Sequence, residues 1–193
     1  MTVLEDRIEM ADSDDTSALD ILFEQMFVPE GFKAEIVEGA VFMVPQRSIH
    51  WLIIRRIVRA LDETFGMDAL VFSDVRIDFP GHQNGFCPDV AKLRDGAEQD
   101  PTGHWLYQDV EFVAEVLSKG TAANDYGPKK SAYATAEVPV YLVVDPYVGK
   151  LHVHTQPKGG DYVTETTVAF GGEVDLTVAG RHLTLKTDEF PRD

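Results

Sequence analysis

The chain has 193 residues, with 33 Asp or Glu against 17 Lys or Arg and a formal charge of −16. That length supports one ordinary core without disulfides or zinc, and that charge repels polyanions on average, which argues against a simple nucleic-acid binder. A single cysteine, Cys87, excludes an internal disulfide, and no apolar run approaches the roughly 18–20 residues needed to span a bilayer.

Residues 1–16 are acidic, lack hydrophobic periodicity and carry neither a basic n-region nor an apolar h-region. They are expected to form a mobile arm on a cytoplasmic protein, with residues 17–193 as a single domain. Leu19, Leu22, Phe23, Met26 and Phe27 recur at helical spacing after the Asp14-Asp15-Thr16 cluster, which predicts a capped helix ending before Pro29-Glu30-Gly31. Residues 32–44 read as a hairpin turning at Glu38-Gly39. Ser48 is placed to cap a long helix with an apolar stripe of Leu52, Ile53, Ile57, Val58 and Leu61, closing near Gly66 and packing on a sheet.

Residues 69–72 and 75–79 are short strand candidates, 81–85 a loop, and 86–93 a strand region carrying Pro88-Asp89. After a polar loop over 94–104, the run 110–117 is almost continuously apolar, as expected for a strand covered on both faces. Residues 121–135 are helical in pattern and VPVYLVVDP follows as another buried strand, which predicts a right-handed, parallel α/β crossover. Strands near 150–156, 161–169 and 173–185 alternate and are expected to be antiparallel. The pattern has no internal repeat.

Three groups carry the chemistry. Asp89 follows a proline that restricts the backbone at a strand entry, although a turn aspartate satisfied by amides would look the same. Glu115 lies within an apolar strand, where an uncompensated carboxylate costs several kcal/mol unless a metal, a cation or several donors answer it. Asp125, Lys129 and Tyr133 share one face of the crossover helix at i, i+4 spacing, a pattern also common on solvated helices. Together these elements would bring two carboxylates and an ammonium to one sheet edge, a set suited to a hard divalent cation and phosphodiester hydrolysis.

Other residues invite smaller readings. Arg55 and Arg59 share a face of the long helix, with Arg56 beside them, and with Lys119 and Lys130 could grip phosphates; a solvated helix face is the plainer account. His50 could transfer protons, or pack or cap at the helix start. Cys87 reads as a small buried residue and Asp145 as a turn former at a strand exit. His152 and His154 alternate on one strand, and no zinc spacing or phosphate-binding glycine loop occurs.

The stretch PDV, EVLSKGT, Asp125-x-x-x-Lys129-x-x-x-Tyr133 and VPVYLVVDP resembles the Uma2 family of candidate restriction endonucleases (DUF820), within the PD-(D/E)XK nuclease superfamily. AEIVEGAVFMVP resembles the family's early strand pair, and His50 stands where the family often opens its long helix. The similarity covers roughly residues 25–160, and its specific part runs from Pro88 to Pro146.

The resemblance implies a restriction-endonuclease-like α/β fold: a mixed central sheet flanked by helices, with extra antiparallel strands at the C-terminal end. It implies Asp89 and Glu115 as catalytic metal ligands, the Val116 carbonyl and Glu35 as further ligands, and Lys129 as the catalytic amine, because Leu117 stands where the superfamily has lysine. Asp125, Tyr133 and His50 would support them. The implied activity is Mg²⁺- or Mn²⁺-dependent endonucleolytic hydrolysis of DNA, leaving 3′ hydroxyls and 5′ phosphates. The charge and Leu117 keep open a catalytically silent nuclease fold that binds or regulates, and a hydrolase of small phosphoesters. A homodimer would suit duplex cleavage.

Overall fold

The computed structural model describes residues 9–193, with side chains from Thr16 onward. Helix α1 (Glu9–Gln25) runs back through the Asp14-Asp15-Thr16 cluster, so those residues lie inside the helix rather than capping it; residues 1–8 of the expected arm lie outside the described residues. Leu19 is buried as its spacing predicts, whereas Phe27 lies beyond the helix end and is exposed.

Strands β1 (Phe32–Val37) and β2 (Ala40–Pro45) form the expected hairpin. Glu38 and Gly39 turn it with φ of 50° and 77°, the double left-handed geometry that matches strand twist. Helix α2 (Ser48–Phe65) follows. Arg47, in extended conformation, is its N-cap and Ser48 its first helical residue, one position from the expected cap. Ile53, Ile57 and Leu61 are buried, but Ile54 and Ala60 complete the stripe while Leu52 is exposed. Gly66 ends the helix with φ of 94°.

Five short strands follow, divided between two sheets: β3 (Val71–Phe72), β4 (Ile77–Phe79), β5 (Asn84–Phe86), β6 (Val90–Leu93) and β7 (Trp105–Leu106). β5 falls partly in the stretch expected as a loop; Gln83 at φ 50° makes the turn that lets Asn84-Gly85-Phe86 pair with β4 and β1. Strand β8 (Val110–Val116), helices α3 (Ala122–Tyr126) and α4 (Pro128–Thr135), and strand β9 (Val140–Asp145) make the crossover, and β8 and β9 are parallel as expected. The helix predicted over 121–135 is broken at Gly127, whose backbone (φ −115°, ψ −104°) is not helical and precedes Pro128. Strands β10 (Lys150–Lys158) and β11 (Asp161–Ala169) extend the sheet antiparallel. The single strand expected over 173–185 is a second hairpin, β12 (Glu173–Val178) and β13 (Arg181–Lys186), because Ala179 and Gly180 adopt φ of 48° and 73°.

The central sheet has the order β11-β10-β9-β8-β6-β3, beside a sheet of order β2-β1-β5-β4-β7 and the β12-β13 pair. Period-two alternation along β8 and β9 divides the core. Phe112, Ala114, Val116, Val140, Leu142 and Val144 pack with α2 and the β12-β13 hairpin. Val113, Leu117, Tyr141 and Val143 pack on the other face with α4 and the aromatic rings of Phe79 and Phe86. Glu115, in phase with Val113 and Leu117, faces this second cluster. Among the described residues no helix is long and apolar enough to cross a membrane.

Candidate active site

Five elements deliver charge to one cavity of about 350 Å³. β1 contributes Lys33 and Glu35, two residues apart and therefore on one strand face. The Pro88-Asp89 entry to β6 contributes Asp89, β8 contributes Glu115, and α3 and α4 contribute Asp125 and Lys129. All but Lys33 are buried charged residues of the described chain, and its side chain is only 10% exposed.

Asp89 is held from two sides. Its Oδ1 accepts from Lys33 Nζ at 2.5 Å and its Oδ2 from the Val116 backbone N–H at 2.7 Å. Asp89's own N–H points to Glu115 Oε2 at 3.3 Å, so the two acids share one hydrogen-bonded network across β6 and β8. Glu115 Oε1 accepts from the Tyr133 hydroxyl at 2.6 Å and lies 2.8 Å from Lys129 Nζ. Lys129 also reaches Glu35 (3.0 and 3.2 Å) and Asp125 (3.0 Å), so the i, i+4 pair survives the break at Gly127. Lys33 additionally bonds the Cys87 carbonyl at 3.0 Å and lies 3.4 Å from Asp74, a non-glycine residue at φ 57°.

The titration behaviour follows from these contacts. Burial opposes ionisation of Asp89, but the Lys33 ammonium outweighs it and holds the carboxyl below its usual value. Glu115 is pushed up to about 8: burial raises it most, Lys129 pulls it back and the Asp89 charge adds to the rise. Asp125 is raised by burial against the pull of Lys129. Burial would lower Lys129, yet Asp125, Glu115 and Glu35 hold it well above its ordinary value. Cys87, buried, is pushed up to about 12, which keeps it a thiol.

Four buried carboxylates face two ammonium groups, leaving a formal excess of two negative charges. Burial raises Glu115 and Asp125 most, and the neighbouring carboxylates add to the rise. The donor set is of hard carboxylate oxygens, the chemistry Mg²⁺ and Mn²⁺ prefer, and a divalent cation would neutralise the surplus. Among the described residues no three His, Cys, Asp or Glu side chains form a ready-made metal cage. Two carboxylates nonetheless suffice for an ion that keeps several waters. The residues therefore fit such an ion at Asp89 and Glu115. Glu35 turns both oxygens to Lys129, and the Val116 N–H bonds Asp89.

His50 also lines the cavity, with a buried Nε2 that has no partner and a pKa lowered by burial. The more distant basic residues divide. Arg55 is exposed, Arg59 pairs with Glu63 at 2.8 Å and Lys130 with Asp161 at 2.9 Å, whereas exposed Lys119 sits 4.8 Å from the Tyr147 ring beside the cavity residue Ser118. Asp145 accepts from the Tyr147 and Val148 N–H groups, as a turn former does. His154 is buried among Tyr141 and Tyr162, and His152 pairs with Glu165. Lys33 was not singled out from the sequence; its signal is the strand alternation that places it in phase with Glu35.

No curated protein matches the chain. A solved structure described as "a putative nuclease belonging to DUF820 from Anabaena variabilis ATCC 29413" is similar to it at 15% identity, covering 82% of this chain and 88% of that one with a TM-score of 0.62. That likeness shows the fold, a mixed α/β arrangement with an additional antiparallel strand pair. The model of Uma2, described as "Putative restriction endonuclease", matches residues 22–186, and the chain belongs to that family.

Proposed function

We propose that this protein is a divalent-metal-dependent endonuclease that hydrolyses phosphodiester bonds in DNA, with Asp89 and Glu115 holding the ion. The observation that carries this reading is the shared network of Asp89 and Glu115 in one cavity with surplus negative charge, flanked by Lys33 and Lys129 and braced from the core by Tyr133. Membership of a family described as restriction endonuclease supports it.

A bound Mg²⁺ or Mn²⁺ would supply Lewis-acid polarisation of a phosphoryl oxygen and a more acidic water. The chain's own residues prepare that chemistry. The Val116 N–H fixes Asp89, and Tyr133 and Lys129 fix Glu115, so neither carboxylate must reorganise when charge develops. Lys129, 1% exposed and bound by three carboxylates, acts by holding Glu115 and Asp125 in place. Lys33 is the less enclosed ammonium and the one that presents positive charge to a phosphate oxygen beside Asp89.

The test is cleavage of supercoiled plasmid, single-stranded DNA and RNA by the full chain with Mg²⁺ or Mn²⁺. DNA nicking that EDTA abolishes and that Asp89→Asn reduces by about 100-fold or more is expected. Equal cleavage by the Asp89→Asn protein would overturn the reading. The net charge of −16 and the acidic cavity favour a second reading, hydrolysis of small phosphoesters. Turnover of nucleotides without any cut in DNA would select it.

A further inference from the structure

We propose that the N-terminal end of α2 is a phosphate subsite, formed by the Arg47 guanidinium, the first-turn N–H groups and the His50 imidazole, which takes a backbone phosphate next to the bond being cut. The substrate class rests on the nuclease reading above.

Three independent features converge there. α2 is an 18-residue helix whose first turn contains no acid and whose N-cap makes no side-chain bond to the backbone. Its free N–H groups and the positive end of its dipole therefore face the cavity wall formed by Arg47, Ser48 and His50. His50, in that first turn, is 6% exposed and lines the cavity, and its Nε2 is buried with no hydrogen-bond partner. A buried polar nitrogen without a partner costs free energy that a ligand oxygen or hydroxyl would recover.

The third feature is an anion already in place. The Asp193 carboxylate is gripped by both terminal nitrogens of Arg47, Nη1 to Oδ2 and Nη2 to Oδ1 at 3.0 Å. Arg47 Nη1 also donates to the Tyr147 hydroxyl at 3.1 Å, and Lys119 lies over the Tyr147 ring. The Arg47 contact holds Asp193 below the usual carboxylate range, and the Lys119 charge adds to that. A guanidinium takes a carboxylate and a phosphate with the same fork, so Asp193 holds the Arg47 fork that a phosphate would use and must yield it. Trp51, 55% exposed on the same cavity rim, offers a ring face to the adjoining base.

The experiment measures binding, without catalysis, in EDTA. The full chain is titrated with inorganic phosphate, with a thymidine 5′-monophosphate and with an oligothymidine lacking terminal phosphates, followed by calorimetry and the His50 Cε1–H resonance. Phosphate should shift that resonance. Arg47→Gln should weaken phosphate binding about tenfold, the scale of one charge-assisted bond, and Asp193→Asn should strengthen it severalfold. Competition by the oligothymidine identifies a backbone phosphate as the source, while binding of phosphate and the mononucleotide alone identifies a free phosphate group.

An unmoved His50 resonance at saturating phosphate, or an Asp193→Asn protein with unchanged affinity, overturns the subsite. Thermal melts of each variant separate a lost site from a lost fold. Asp89→Asn, which breaks the nuclease reading, removes a negative charge from the same cavity and should bind phosphate at least as tightly as the native chain. A protein that binds phosphate here and never cuts DNA would thus retain the subsite and lose the nuclease.

Discussion

The β1-β2 and β12-β13 hairpins are built on the same two-residue turn, with left-handed φ at Glu38-Gly39 in one and Ala179-Gly180 in the other, yet they bury opposite kinds of side chain. β12-β13 alternates strictly and packs Val174, Leu176, Val178, Leu183 and Leu185 against α2. β1 buries Glu35 and encloses Lys33 on the face that alternation with Ala34 and Ile36 would leave to solvent. The first arrangement gains stability from apolar area removed from water. The second gives some of it up, because two charged groups must be desolvated and matched by partners from β6, β8 and α4. The cavity charges are thus a local departure from what packing prefers, the pattern expected of a functional site.

That contrast can be broken at either hairpin. The largest effect is expected for Lys129→Ala, which leaves Glu35, Glu115 and Asp125 without their shared cation and should cost about 3–5 kcal/mol in urea unfolding at pH 7. Part of that loss should return on acidification, as the carboxylates take up protons. Leu183→Ala in the apolar hairpin should cost about 3 kcal/mol with no such pH dependence and no change in metal affinity. A Lys129→Ala loss that is flat with pH would show that charge imbalance is not its cause.

Glu115→Gln should act in the opposite direction. With its carboxyl pushed to about 8, chiefly by burial, the folded chain keeps the Glu115 proton from about pH 4.5 to 8 while the unfolded chain releases it. This group therefore subtracts stability as pH rises through that window. The Gln variant should melt higher than the native chain at pH 8 by a few degrees, while losing the gain in melting temperature that Mn²⁺ gives the native protein. A lower melting temperature would mean that the ionised Glu115 is fully compensated as it stands.

The smallest effect belongs to His154, whose buried ring has no hydrogen-bond partner at either nitrogen and whose pKa is lowered from 6.5 by burial against the pull of Glu165, 3.9 Å away. The unfolded chain takes up its proton near pH 6.5 and the folded chain resists, so stability falls as pH drops below that value, by at most about 1.4 kcal/mol per pH unit. His154→Phe should flatten that acid limb, measured as melting temperature against pH between 7 and 5.

Much of this architecture was legible in the sequence because it follows from periodicity. The buried run 110–117, the parallel crossover to VPVYLVVDP and the Glu38-Gly39 hairpin all appear, and Asp89, Glu115, Asp125, Lys129 and Tyr133 meet in one network. The misses were at backbone conformations that residue type alone does not announce. Ala179 and Gln83 adopt left-handed φ without being glycine or asparagine, which hid the β12-β13 turn and the start of β5. Gly127-Pro128 is the exception, since a Gly-Pro pair is itself a helix-breaking signal and the crossover helix divides there. Lys33 was overlooked because a lysine near a strand start reads as solvated until Asp89, 56 positions away in sequence, is seen 2.5 Å from it. Arg47 and Asp193 are separated by 146 positions, and no local pattern links them.

Anomalous diffraction from crystals soaked in MnCl₂ tests the central claim most directly. The account predicts a manganese peak between the Asp89 and Glu115 carboxylates, with the Lys33 ammonium displaced from Asp89. A fully ordered cavity in which Lys33 stays on Asp89 and manganese binds only elsewhere on the acidic surface would contradict it.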